Sequence, residues 1–234
     1  KYQLFKYLLM GSFVHLHVHS YYSVLDGMSS ISGLVDKAAK TGMNAIALTD
    51  HGNMFGVKEF FNYTKKKSSK TKDQIKALKA ELGKTDLTED QKAELLQQLA
   101  DAEQRLFKPI LGCEAYVARN SRHSKTNQED RSGYHLVLLA KNKTGYRNLC
   151  KLVSLGWMEG FYYRPRIDHD ILKQYSEGLI ASSACLGGEI HKKVESSDLV
   201  AAEAAVLWYK EVFGDDFYIE LQRHKTDKPN ADYE

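Results

Sequence analysis

The chain has 234 residues, 43% of them hydrophobic and 27% charged, a globular composition that excludes a disordered or fibrous protein and leaves room for a sizeable core. Basic residues exceed acidic ones by three, all of it between Lys65 and Lys108, where eleven basic side chains meet eight acidic ones. An overall basic footprint is therefore excluded, so contact with nucleic acid must come from local geometry.

No window approaches the ~18 consecutive apolar residues of a membrane helix. The run Leu4 to Met10 is broken by Lys6 and Tyr7 and lacks a small-residue cleavage site, which argues against a signal peptide. Residues 1–12, beginning with Lys1, read as an N-terminal extension or tag. The cysteines Cys113, Cys150 and Cys185 are odd in number and widely spaced, which suits a reducing cytoplasm.

In chain order, Phe13 to His19 reads as a strand. His15, His17 and His19 would then project to one side, with Val14, Leu16 and Val18 on the other. Two imidazoles at i, i+2 suit one divalent metal, the alternative being hydrogen-bonded core histidines. Ile31, Leu34, Val35, Ala38 and Ala39 give a helix face, stopped by Gly42. Ala45 to Thr49 is a strand ending in Thr49-Asp50-His51-Gly52-Asn53, and Met54 to Tyr63 reads as helical. His51 at a strand's C-terminal end is a candidate ligand, and Asp26 is a ligand or a turn residue.

From Lys65 the chain becomes Lys-, Glu- and Gln-rich, with capping-box patterns at Thr71-x-x-Gln74 and Thr88-x-x-Gln91. The expectation is a helical hairpin inserted over 65–108 and turning at Gly83 to Leu87, either a solvated face or a basic arm. Strands follow at Ile110 to Val117 and His135 to Ala140, then a helix through Tyr146, Leu149, Leu152 and Val153. Gly178 to Ser183 reads as a buried strand, Leu199 to Phe213 as a helix and Phe217 to Leu221 as a strand. Alternating strands and helices predict parallel βα units, as a barrel or an open sheet. Glu114, His135 and Cys185 each sit at a strand end, and a carboxylate in an apolar strand calls for a cation. Phe161-Tyr162-Tyr163-Arg164-Pro165-Arg166 interleaves aromatics with arginines as a loop able to stack a base and grip phosphate, or to pack as a rigid surface loop. Arg119, Arg122 and His123 form a second basic loop.

Taken together, the segments 13–20, 22–27, 47–53, 109–114, 134–142, 145–149 and 183–189 resemble the PHP (polymerase and histidinol phosphatase) domains of bacterial replicative DNA polymerases. The resemblance implies an α/β fold, a distorted (β/α)7-type barrel over 13–234, with up to three divalent metals, zinc or manganese. It assigns His17 and His19 to a first ion, Glu114, His135 and Cys185 to a second, and Asp26 with His51 to a third. The family's late Asp-x-His motif does not occur after Cys185, so the expectation is a fragment whose barrel lacks its last part. The implied activity is metal-dependent phosphoester hydrolysis at a DNA 3′ end, a 3′–5′ proofreading exonuclease, with Tyr162, Tyr163, Arg164 and Arg166 contacting DNA. Nucleotidyl transfer would belong to the remaining polymerase domains. The alternatives are a structural domain docking the polymerase body, a separate proofreading subunit or other replisome subunits, and, ranked last, a small-molecule phosphatase.

Overall fold

A computed structural model describes residues 13–24 and 26–222, which fall into two compact units. One is drawn from Lys1–Leu48 and Phe55–Ile110, the other from Thr49–Met54 and Leu111–Glu234. The expected extension over 1–12 lies outside the described residues, as do Leu25 and Arg223 onward.

In the first unit, α1 (Ile31–Lys40) buries Ile31, Val35 and Ala38 at helical spacing. Ser30 Oγ caps it by accepting the Gly33 N–H at 3.1 Å. Gly42, at φ +88°, follows its C-terminal end as expected. All four residues of β1 (Ala45–Leu48) are buried. The expected strand over 13–19 is not a strand. The Ala47 N–H of β1 donates to the His15 carbonyl at 2.9 Å, but residues 13–19 form no ladder that would enforce an in–out alternation. Leu16, expected on the face opposite the histidines, is 47% exposed.

The helical hairpin is present, but only one of its two expected caps is used. Helix α2 (Val57–Lys67) passes through Ser68 alone into α3 (Ser69–Leu82). Thr71 therefore lies inside α3 and caps nothing, while Ser68 Oγ donates to the Phe107 carbonyl at 3.1 Å. Thr88 forms a full capping box with Gln91 at the start of α4 (Glu89–Gln104). Lys79 and Glu103 bridge the two arms at 2.8 Å.

The second unit is built on β2 (Lys108–Val117) from Leu111 onward, β3 (Tyr134–Ala140), β4 (Phe161–Tyr162), β5 (Arg164–Ile167), β6 (Leu179–Ser182) and β7 (Phe217–Tyr218). Their order is β4-β5-β2-β3-β6-β7, an open array. The α/β class is as expected, but the strands are not all parallel: β2/β3, β3/β6 and β4/β5 run antiparallel, β2/β5 and β6/β7 parallel. The β2–β3 connection carries only a 3-10 turn at Glu129–Arg131, and without a helical crossover β3 returns antiparallel. The helices are α5 (Lys143–Met158), α6 (His169–Gln174), α7 (Glu189–Glu195) and α8 (Leu199–Phe213). No helix among the described residues is long and apolar enough to cross a membrane.

The two faces of β2 divide the labour. Cys113, Ala115 and Val117 join Leu136, Leu138, Leu149, Leu152, Leu172, Ala181 and Tyr209 in the hydrophobic core. Glu114 and Tyr116, out of phase by one residue, point the other way. In the β2/β3 register Tyr116 lies opposite His135, so the two share that other face.

Candidate metal centre

The second unit gathers four of the expected ligands. Backbone bonds set His51 beside Glu114: the Glu114 N–H donates to the Asp50 carbonyl at 3.1 Å and the Gly52 N–H to the Glu114 carbonyl at 2.8 Å. Gly52 has φ +61°, and a Cβ there would lie 2.7 Å from Pro165 Cγ, so both backbone and space require glycine. His135 is held by its N–H donating to the Gly187 carbonyl at 2.9 Å. Cys185 follows Ala184, whose φ of +61° is uncommon for a residue with a Cβ.

Glu114 is 1% exposed and stands between the two imidazoles. Its Oε1 lies 2.7 Å from His135 Nδ1 and its Oε2 2.5 Å from His51 Nδ1. Cys185 Sγ is 3.5 Å from His135 Nδ1 and 3.7 Å from Glu114 Oε1. One donor atom each from His51, Glu114 and His135 lies within 4.8 Å of the others. Burial alone would lower the His135 pKa, but hydrogen bonding with Cys185 and Glu114 outweighs it and pushes it up to about 9. Two imidazoles, a carboxylate and a thiol make a donor set suited to a borderline divalent ion such as zinc.

His17, His19 and Asp26 belong to the first unit. The His17 and His19 rings are 5.2 Å apart, and His19 Nδ1 is 2.9 Å from Ser23 Oγ. Asp26 is exposed.

Sequence reasoning missed Tyr116, whose ring lies 5.2 Å from that of His135 and 6.0 Å from that of His51. Its i+2 spacing from Glu114 was the available signal. Arg164, exposed, places its guanidinium 5.7 Å from the Tyr116 centroid. The segment expected as a loop over 161–166 is instead a tight hairpin, β4 to β5, turning at Tyr163 with φ +61°.

Arg166 is corrected as a DNA contact. It is fully buried, with Nε donating to the Gly160 carbonyl at 3.1 Å and Nη2 to those of Arg122 and Ser124 at 3.0 and 2.8 Å. Tyr162 is half-buried, with the Arg166 guanidinium 5.7 Å from its ring centroid. Tyr163 is 60% exposed and carries Arg131 over its ring. In the second basic loop, Arg122 is committed to Asp168 at 3.0 Å and Glu159 at 2.7 Å rather than offered to a ligand.

Residues 15–224 match the PHP domain family model. The chain is 45% identical over 214 residues to the DNA polymerase III subunit alpha of Borreliella burgdorferi, covering 91% of this chain and 15% of that protein. It is 40% identical to that of Chlamydia pneumoniae, covering 92% and 14%, and 41% identical to that of Treponema pallidum, covering 93% and 16%. The chain thus spans only about a seventh of the length of these relatives. It belongs to the PHP domain family, and its open sheet is that of a barrel-like fold left unclosed among the described residues.

Proposed function

We propose that this PHP-family chain is a domain of a cytoplasmic replicative DNA polymerase and carries a metal-dependent phosphoesterase site for 3′–5′ removal of nucleotides from a DNA end. The observation that carries the reading is the buried Glu114 carboxylate held between His51 and His135, with Cys185 alongside. His51, Glu114, His135 and Cys185 would hold one or more zinc or manganese ions. By the family resemblance, His17, His19 and Asp26 are proposed as ligands of further ions, up to three in all. A bound ion of this kind acidifies water toward neutrality and neutralises phosphate oxygens.

The chain's own residues supply the rest. Glu114, fixed by its backbone bonds to Asp50 and Gly52, orients both imidazoles without depending on solvent. Arg164, exposed and with its guanidinium 5.7 Å from the Tyr116 ring centroid, would hold a phosphate of the strand entering the site. Tyr163, exposed at the hairpin turn, offers a ring on which an unpaired base can stack.

The test is a 5′-labelled DNA with a mismatched 3′ end, incubated with the zinc- or manganese-loaded full-length protein. The expected result is stepwise shortening from the 3′ end, lost in Glu114→Gln and absent on a small aryl phosphate. An intact DNA end with fully loaded protein would overturn the reading.

A second reading, a docking domain for the polymerase body or a separate proofreading subunit, has one observation in its favour. Ile190, Val194, Leu186, Ile219 and Leu221 line a groove of about 160 Å³, with Leu221 87% exposed. Loss of subunit association in Leu221→Asp, with exonuclease activity unchanged, would support it.

A further inference from the structure

Outside the ligand set, the most heavily partnered buried charge with a path back to the metal centre is Glu189, the first residue of α7 and 6% exposed. Three groups converge on its carboxylate. Tyr209 of α8 donates its hydroxyl to Oε2 at 2.9 Å, Lys193 one turn along α7 donates to Oε1 at 2.6 Å, and His169 of α6 places Nε2 3.2 Å from Oε2. The His169 ring is in turn stacked 3.9 Å from Trp208. A carboxylate buried this deeply is retained only where such partners offset its lost hydration.

What Glu189 fixes is the start of α7, and the turn leading into α7 is the wall against which His135 rests. Gly188 N–H donates to the Cys185 carbonyl at 2.8 Å, closing that turn, and the His135 N–H donates to the Gly187 carbonyl at 2.9 Å. A Cβ on Gly187 would sit 2.9 Å from both Cγ and Nδ1 of His135. The imidazole therefore lies flat on the glycine backbone, and the atom so confined, Nδ1, is the one that faces Glu114 and Cys185.

We propose that Glu189 is a positioning residue of the metal centre: by tying the first turn of α7 to α6 and α8, it holds the Cys185–Gly188 turn against the His135 ring and sets the separation of the His135 and Cys185 donor atoms. The role rests on the metal-centre reading above. Glu189 directly follows that turn and acts through it. Outer partners of this kind typically change metal affinity by about 10–100-fold when removed.

The experiment is a cobalt(II) titration of the 234-residue chain followed by visible and near-ultraviolet absorption, in which a thiolate-to-cobalt band reports Cys185. In Glu189→Gln the expected result is cobalt binding weakened by about 10–100-fold, with the thiolate band reduced or displaced. In Gly187→Ala, where the new methyl must push the ring aside, the same direction is expected while the far-ultraviolet circular dichroism stays that of the wild type. A folded Glu189→Gln with wild-type affinity and an unchanged band would overturn the role and leave the metal centre standing. Wild-type protein that takes up no cobalt would overturn the centre and this role together. Should Glu189→Gln fail to fold, Tyr209→Phe removes one of the three anchors alone, and unchanged cobalt affinity in that variant would also overturn the role.

Discussion

Cys113 and Glu114 are neighbours in the chain and opposites in environment: the thiol lies in the hydrophobic core with no exposure, while the carboxylate reaches His135 on the other face of β2. One peptide unit separates core from chemistry. Burial, with the nearby Glu114 and Asp50 charges adding to it, pushes the Cys113 thiol far above its ordinary range.

The three thiols should therefore differ in reactivity. Native protein treated with iodoacetamide at neutral pH is expected to leave Cys113 unmodified and to react at Cys185, with zinc slowing the Cys185 reaction. Mass spectrometry of peptides from the treated protein checks this. Alkylation of native Cys113 at the rate of Cys185 would contradict the burial described.

Replacing the bridging carboxylate should damage metal uptake more than any outer change. Glu114→Gln keeps the shape but removes the charge between His51 and His135, and zinc affinity is expected to fall by more than the ~100-fold upper range of outer partners. Isothermal titration calorimetry with zinc on both proteins measures the difference. Equal affinities would remove Glu114 from the ligand set.

Acid should act through Glu189. Burial alone would raise its pKa, but His169 and Lys193 outweigh it and hold it at about 2, against an ordinary value of 4.5. A carboxyl depressed on folding stabilises fully above about pH 4.5, and that contribution is lost as pH falls from there toward 2. It is worth on the order of 3 kcal/mol. Urea unfolding between pH 5.5 and 2.5 should show this loss, and Glu189→Gln should flatten it. An identical slope in the variant would show that other groups carry the acid sensitivity.

Arg164 and Arg166 should separate cleanly. Arg166→Met removes the guanidinium donors to the carbonyls of Arg122, Ser124 and Gly160, the last of which keeps the Arg166 backbone N–H, and is expected to cost roughly 3 kcal/mol, by denaturant unfolding. Arg164→Ala should leave stability within about 0.5 kcal/mol. It should instead weaken DNA binding and lower the salt slope by about one. The reverse pattern would return Arg166 to the DNA surface.

Much of this molecule was legible locally. The helix face Ile31, Val35 and Ala38, the Gly42 stop, and the Thr88 capping box are encoded within a few residues of where they act. So is the opposition of Glu114 to Cys113 and Ala115, because side-chain alternation along a strand is a property of the strand itself. The identities of His51, Glu114, His135 and Cys185 as ligand-capable groups could also be read from their apolar flanks, although Glu114 lies inside β2 and Cys185 three residues beyond β6 rather than at a strand end.

Other features depended on distant chain. Phe13 to His19 alternates like a strand yet forms none, since a ladder needs a partner backbone along its whole length. Thr71 carries a capping pattern that goes unused because α3 begins two residues earlier, at Ser69. Arg164 and Arg166 are two residues apart on one strand, and nothing local says that one reaches solvent while the other is enclosed by the carbonyls of Gly160, Arg122 and Ser124. The antiparallel return of β3 and the convergence of Tyr209, Lys193 and His169 on Glu189 are of the same kind. Sequence by itself determined which side chains are able to carry chemistry and, where a strand or helix forms, which way they face along it, because those follow from residue type and backbone geometry over a few residues. Only the tertiary structure decided which of them are desolvated and which donor atoms meet, because burial and hydrogen-bond partnership are set by segments far apart in the chain.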